Sequence, residues 1–195
     1  MNASIWGTML GYMVISSFTP GPGNILAMNT TIRFGWKRGK KLILGICLGY
    51  FCVQILCTLA LYGLNSILTP ALSVLKYIGA AYMIWLTIQI IRSHPEADSQ
   101  DKKPSFRMGF MLQLVNVKIY FYITTLLTAY LMPNIEKLGG LLLAGLGVVA
   151  IGSSACLTWA FLGLHLQTVY QKYYKPINLI LSLFLLYCAW GIIRS

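Results

Sequence analysis

The sequence predicts an all-α, polytopic membrane protein that forms one transmembrane domain over residues 1–195. Hydrophobic residues make up 57% of the chain and charged residues only 10%, whereas soluble domains carry roughly a quarter charged residues. The apolar residues fall into six long segments separated by short polar runs. No hydrophilic stretch is long enough for a second domain, so the lipid bilayer is the expected solvent.

Six segments are long enough to cross a membrane, which requires about 20 mainly apolar residues. The second contains Gly45 and Gly49, a spacing typical of closely packed membrane helices. The predicted spans cover residues 4–31, 42–62, 71–91, 108–131, 138–164 and 177–193.

The charge distribution predicts an orientation. The net charge is +11, and eleven of the fifteen Lys and Arg residues lie in the first, third and fifth loops. Cytoplasmic loops carry such an excess. We therefore expect these loops to face the cytoplasm and both termini to lie on the periplasmic side of a bacterial inner membrane. No nucleic-acid-binding motif accompanies the basic residues, so nucleic acid is not an expected partner.

The first span contains a cluster of helix breakers, "TPGPGN", at its centre. As one helix its 28 residues would measure about 42 Å at 1.5 Å per residue, against a hydrocarbon core of about 30 Å. Two prolines remove amide donors and two glycines permit unusual dihedral angles. The sequence therefore predicts a first helix that is broken into two halves.

An unwound segment inside a bilayer must be buried in protein or line a wet cavity. The second half-helix would begin with unpaired amides at a positive dipole end, which suits an anion such as a carboxylate. The alternative is a plain proline kink without a ligand. The predicted site residues of this segment are Thr19, Pro20, Gly21, Pro22, Gly23 and Asn24.

The fourth span carries Lys118 near its centre, where a lysine costs roughly 2.5–3.5 kcal/mol. Backbone carbonyls of a broken helix or an acidic substrate could pair with it; alternatively, the span is shifted and Lys118 reaches an interface. In a regular helix Gln113, Asn116 and Tyr120 share one polar face and Lys118 lies off it. These four residues complete the predicted substrate-binding set.

The order of the spans, three followed by three of opposite orientation, predicts a 3+3 inverted repeat. Many secondary transporters have this layout, with a site near the bilayer midplane at broken helices.

The sequence gives no indication of an enzyme, a cofactor or a metal site. No Ser/His/Asp or His/Glu constellation stands out, and the five cysteines lack metal or redox spacings. A thiol-disulfide transporter would need a cysteine pair across a cavity, but Cys47, Cys52 and Cys57 share one helix while Cys156 and Cys188 are isolated. A passive channel or an assembly subunit stays open as a further alternative.

Three motifs give the chain a resemblance to a known family. "TPGPGN" at 19–24, "GAAYMIWL" at 79–86 and "NVK" at 116–118 are similar to motifs of the LysE/RhtB family of amino-acid exporters. The resemblance covers essentially the whole chain. Val117 replaces the proline that this family usually has, and because Val117 keeps its amide, a break in the fourth helix stays open.

The valine motif and "YCA" at 187–189 resemble the cysteine/O-acetylserine branch of that family. The resemblance implies a proton-driven, alternating-access exporter of small neutral amino acids, with cysteine and O-acetylserine first. Threonine, homoserine or leucine as substrates, efflux without proton coupling, and a homo-oligomer remain alternatives. A zwitterion would then place its carboxylate at residues 20–24 and Lys118, and its ammonium at Asn116 and Tyr120.

Overall fold

The computed structural model describes residues 3–63, 65–92 and 104–194. Every described secondary-structure element is helical. Part of the third predicted loop, including Lys102 and Lys103, lies outside the described residues. The helices are α1 Ala3–Phe18, α2 Pro22–Gly63, α3 Asn65–Ile91, α4 Phe106–Leu114, α5 Val117–Leu126, a π-helical segment Leu127–Leu131, α6 Leu138–His165 and α7 Gln167–Arg194.

The predicted break in the first span is confirmed. Helix α1 ends at Phe18 and α2 begins at Pro22, so the non-helical residues are the ones between the two. Proline is favoured in the first turn of a helix, where its missing amide removes no intrahelical bond. The cluster thus ends one helix and starts the next.

The first predicted loop is helical on both sides of one residue, Gly35. Its φ of 68° and ψ of 176° interrupt α2. A Cβ at Gly39 would lie 3.2 Å from Thr30 Cγ2, although nine residues of straight helix span about 13.5 Å. The chain therefore reverses at Gly35 and α2 is a helical hairpin, whose arms, residues 22–34 and 36–63, we call α2a and α2b.

The fifth predicted loop is also helical, because α7 begins ten residues before the predicted span. The helix accommodates Pro176 by a kink at Tyr173, where φ is −123° and ψ is 35°. A proline in a helix removes one hydrogen bond and crowds the preceding turn, so a kink three residues earlier relieves it. The basic residues of this segment therefore extend from a helix.

Helix α2 is the centre of the bundle and packs against α4 and α6, while α3 pairs with α7. Glycines allow the closest approaches: a Cβ at Gly45 would strike the Phe106 carbonyl, and one at Gly109 would strike the Leu42 carbonyl. The close packing expected from Gly45 and Gly49 is confirmed.

The outer surface of the bundle is apolar, with Ile15, Leu143 and Ile180 each at least 65% exposed. By length and hydropathy, α2 and α6 each contain an apolar stretch long enough to cross a membrane, and the bent pair of α4 with Val117–Leu131 can be a third span. These findings support a helical membrane protein. The six-span count and the inverted repeat stay predictions.

The conformation of Gly35 predicts a specific sensitivity. Its φ and ψ lie in a region essentially restricted to glycine, where other residues cost about 1–3 kcal/mol. We expect Gly35→Ala to lower the free energy of unfolding by that amount in thermal or denaturant unfolding of the purified protein. Gly11→Ala in α1 is the matched control, because no atom beyond its own stretch of helix backbone lies within 4 Å of its Cβ position. Equal stability of the two variants would contradict the assignment.

Candidate functional site

The break between α1 and α2 exposes backbone carbonyls that the helix no longer pairs. Helix ends leave such groups without intrahelical partners, and each unsatisfied group is costly away from water. The amide and the hydroxyl of Thr19 both donate to Ile15 O, at 2.9 and 2.5 Å. The next carbonyls must find partners elsewhere.

Three side chains supply those partners. Asn24 Nδ2 donates to Ser17 O at 2.9 Å and to Thr19 O at 3.3 Å. Trp159 Nε1 of α6 donates to Phe18 O at 3.1 Å. Lys118 Nζ of α5 donates to Thr19 O at 2.9 Å and to Pro20 O at 3.4 Å.

These bonds account for the lysine in the middle of the fourth span. Its ammonium lies at the carbonyl end of α1, where the helix dipole favours a positive charge. Of the two partners expected from the sequence, carbonyls of a broken helix are the ones that Lys118 contacts. The Lys118 side chain thereby connects α5 to the break between α1 and α2.

The opposite end of the break presents amides. In α2 the first backbone bond runs from Ile25 N–H to Gly21 O at 2.9 Å, so the amides of Gly23 and Asn24 precede the helical ladder. Both residues line a cavity. The start of α2 therefore offers donors and a positive dipole end to that cavity, as the sequence predicts.

The fourth span is broken as well, between Leu114 and Val117, and the two halves are bent by 56°. The break forms with Val117 in place of a proline, and two contacts support it. Tyr120 Oη donates to Leu114 O at 3.0 Å, and the Val115 carbonyl lies against Gly79, where a Cβ would collide with it. Gly79 of α3 and Tyr120, one turn after the break, thus stabilise an interruption of the helix that the motif at 116–118 alone does not determine.

At this second break Asn116 has a fixed orientation. Its Nδ2 donates to Gln113 Oε1 at 2.8 Å, and the side chain is only 3% exposed. Within the described part of the chain, Asn116 Oδ1 is buried without a hydrogen-bond partner. A buried acceptor of this kind suits a donor on a ligand, since an unmet acceptor is costly.

The two breaks meet at one polar cavity inside the bundle. Ile46 and Cys156, from one apolar core cluster, and Tyr50 and Tyr122, from the other, form part of its wall. Its volume of about 40 Å³ holds a few waters, because one water requires roughly 10–15 Å³. Its polar lining comprises Ser16, Ser17, Asn24, Cys47, Gln113, Asn116, Lys118 and Ser153, with Gly21, Gly23 and Gly152 between them.

The cavity brings together most of the residues predicted from the sequence. Thr19 and Pro20 contribute carbonyl acceptors for Lys118. Pro22 lines a neighbouring, wider cavity of about 610 Å³ that shares Ser16, Lys118 and Tyr122 with the first. Of the residues in the predicted substrate-binding set, the ones that line the small cavity are Gly21, Gly23, Asn24, Gln113, Asn116 and Lys118.

Tyr120 is placed differently from its expected role. Its hydroxyl is engaged with Leu114 O, and it is not among the described residues that line the small cavity. The break turns α5 relative to α4, so the polar face of a regular helix does not exist here. The same bend brings Lys118 to the cavity, although Lys118 would lie off the polar face of a regular helix.

Sequence reasoning missed the contribution of α2b and α6. Cys47, Tyr50 and Ser153 are single small or amphipathic residues within apolar helices, a pattern that is usual for core positions. Of the cavity residues that were missed, only Ser16 and Ser17 were indicated by the sequence, because they lie shortly before the breakers at 20–23. The structure also brings Cys47 and Cys156 to one cavity wall, which their separation in the sequence concealed.

Two broken helices that enclose a polar cavity in an apolar helical bundle define a membrane transporter. A family comparison agrees: residues 14–195 match the model of the LysE type translocator family. The chain belongs to this family, whose members are transporters rather than enzymes.

The chain is also similar to curated relatives over nearly its full length. It is 33% identical over 190 residues, 97% of each chain, to the cysteine/O-acetylserine efflux proteins of Escherichia coli strain K12 and Shigella sonnei strain Ss046. No solved structure matches this chain. The matched region extends over both helix breaks and the residues that line the cavity.

The bonds of Lys118 predict a structural cost for its removal. In Lys118→Met the carbonyls of Thr19 and Pro20 lose their donor, and we expect the free energy of unfolding to fall by about 1–3 kcal/mol. Thermal unfolding in detergent measures this change. Lys137→Met, at an exposed position before α6, is the control and should unfold like the wild type; a Lys118 variant that does so too would contradict the assigned bonds.

Proposed function

We propose that this protein exports small neutral amino acids, cysteine and O-acetylserine first, across the bacterial inner membrane. The observation that carries the proposal is the pairing, in one cavity, of free amides at the start of α2 with the unpartnered acceptor Asn116 Oδ1. A zwitterion needs both kinds of group. The names of the efflux relatives support the same substrate class.

The carboxylate of the substrate would bind at the start of α2. The amides of Gly23 and Asn24 supply donors there, and the ammonium of Lys118 supplies a positive charge within the same cavity. Lys118 already donates to Thr19 O and Pro20 O, so its charge is held in place before a substrate arrives. Preorganised donors of this kind bind an anion without reorganisation cost.

The ammonium of the substrate would donate to Asn116 Oδ1. The bond from Asn116 Nδ2 to Gln113 leaves the oxygen as the available group. Tyr120 would act as a positioning residue in this scheme, because its bond to Leu114 O supports the bend that places Asn116. The residues proposed to bind the substrate therefore lie at the breaks of the first and fourth spans.

The charge of the cavity favours neutral substrates. The described residues that line the cavity include no carboxylate, so a second positive charge on a substrate side chain would be desolvated without a partner. Cysteine and O-acetylserine carry no such charge on the side chain, whereas lysine does.

The transport cycle would be alternating access between two related halves. Both halves begin with a broken helix, and the second and third helices of one half pack against their counterparts, α2b with α6 and α3 with α7. This pattern supports a 3+3 inverted repeat, in which two halves rock around a midplane site. The basic side would face the cytoplasm, and the proton-motive force would drive export.

Counterflow in proteoliposomes tests the function directly. Vesicles loaded with unlabelled cysteine, O-acetylserine, threonine or lysine would be diluted into labelled O-acetylserine, with and without a pH gradient. The proposal predicts saturable counterflow with the neutral amino acids, little with lysine, and stimulation by the gradient. Non-saturable flux would indicate a channel, and a preference for lysine would exclude the proposed site chemistry.

Asn116 provides the sharpest test of the proposed contacts. A hydrogen bond to a charged group contributes about 1.5–3 kcal/mol, so Asn116→Leu should weaken transport by about 10- to 100-fold at low substrate concentration. The matched control is Gln54→Met, a buried amide of α2b that does not line the cavity. Export of labelled cysteine at equal expression measures both, and unimpaired export by the Asn116 variant would remove it from the site.

A further inference from the structure

Two cysteines from different helices line the same cavity. Cys47 of α2b and Cys156 of α6 both line it, and Cys47 packs against the apolar core cluster that contains Cys156. All described cysteines are free thiols. No step of the proposed transport mechanism uses this pair.

The packing of α2b on α6 places the two cysteines in register. A Cβ at Gly152 would lie 2.6 Å from the ring of Tyr50, and one at Gly145 would lie 2.9 Å from Gln54 Nε2. The residue numbers rise along α2b as they fall along α6, so the helices are antiparallel. One turn further from Tyr50 and Gly152 lie Cys47 and Cys156, at facing positions of two helices that pack along each other.

Close helix backbones are the condition that a disulfide requires. The Cα atoms of a disulfide usually lie about 4.4–6.8 Å apart, a separation that glycine-mediated helix contacts permit. Both side chains reach the same small cavity and the same core cluster, which places the two thiols on neighbouring parts of its wall. Cys52, on the same helix as Cys47, does not line the cavity.

We propose that Cys47 and Cys156 form a reversible disulfide that locks the transporter, with small organic disulfides entering the cavity as the oxidant. The thiolate of one cysteine attacks the disulfide RSSR, forms a mixed disulfide and releases RSH after proton transfer. The second thiolate then attacks the protein sulfur of that mixed disulfide and releases the other RSH. In balance, two protein thiols and RSSR give one protein disulfide and two RSH.

The disulfide stops transport because it joins the two halves that must move. It fixes the separation of α2b and α6 and crosses the space that the substrate would occupy. Its effect on export rests on the proposed function, whereas its formation does not. The oxidised form of cysteine, the proposed substrate, is itself a small organic disulfide. An oxidising environment would therefore form the Cys47–Cys156 bond and stop export.

Intact mass and peptide mapping of the purified protein test bond formation. Wild type, Cys47→Ser, Cys156→Ser and Cys52→Ser proteins are treated with 2-hydroxyethyl disulfide, and the remaining thiols are alkylated after unfolding. We expect wild type and Cys52→Ser to lose two hydrogens and two alkylatable thiols, with a Cys47–Cys156 cross-linked peptide. Cys47→Ser and Cys156→Ser should form no such bond. Retention of all five thiols in the wild type, a mixed disulfide that persists, or a different cross-link would overturn the proposal.

Transport measured on the same preparations tests the lock. Oxidation should abolish counterflow by wild type and Cys52→Ser, and dithiothreitol should restore it, while the residual counterflow of Cys156→Ser should be insensitive to the oxidant. Unchanged counterflow by fully cross-linked wild type would overturn the lock. If the reduced wild type transports no amino acid, the proposed function fails, and the mass result still decides whether the disulfide forms.

Discussion

The constraint on which the structure depends is the need to satisfy backbone polar groups where a membrane helix is interrupted. Water is scarce there, and each unpaired carbonyl or amide costs free energy. Helix α1 ends with carbonyls that Asn24, Trp159 and Lys118 satisfy from three different elements. The break therefore organises the bundle around itself, and the cavity is the place where its partners converge.

The same constraint explains why a charged residue is stable in an apolar span. Lys118 donates to the carbonyls of Thr19 and Pro20 and remains beside the amides that open α2. One lysine thus balances the negative end of one half-helix and adds positive charge to the cavity next to the other. Structure and proposed binding use the same charge, so substitutions at Lys118 affect stability and transport together.

The sequence predicted the parts whose signals are local. Four breakers in four residues predict the first break, and a lysine inside an apolar span predicts a polar partner. The second break depends on Gly79 and Tyr120, which stabilise it through contacts that Asn116 and Val117 do not reveal. The hairpin at Gly35 and the pairing of Cys47 with Cys156 likewise depend on tertiary packing, which periodicity does not encode.

The central claim is that the two breaks jointly bind a zwitterion. An experimental structure with bound O-acetylserine would test it most directly. The account predicts the carboxylate at the amides of Gly23 and Asn24, and the ammonium at Asn116 Oδ1. A substrate seated only in the wider cavity near Tyr187, with both breaks unoccupied, would contradict it.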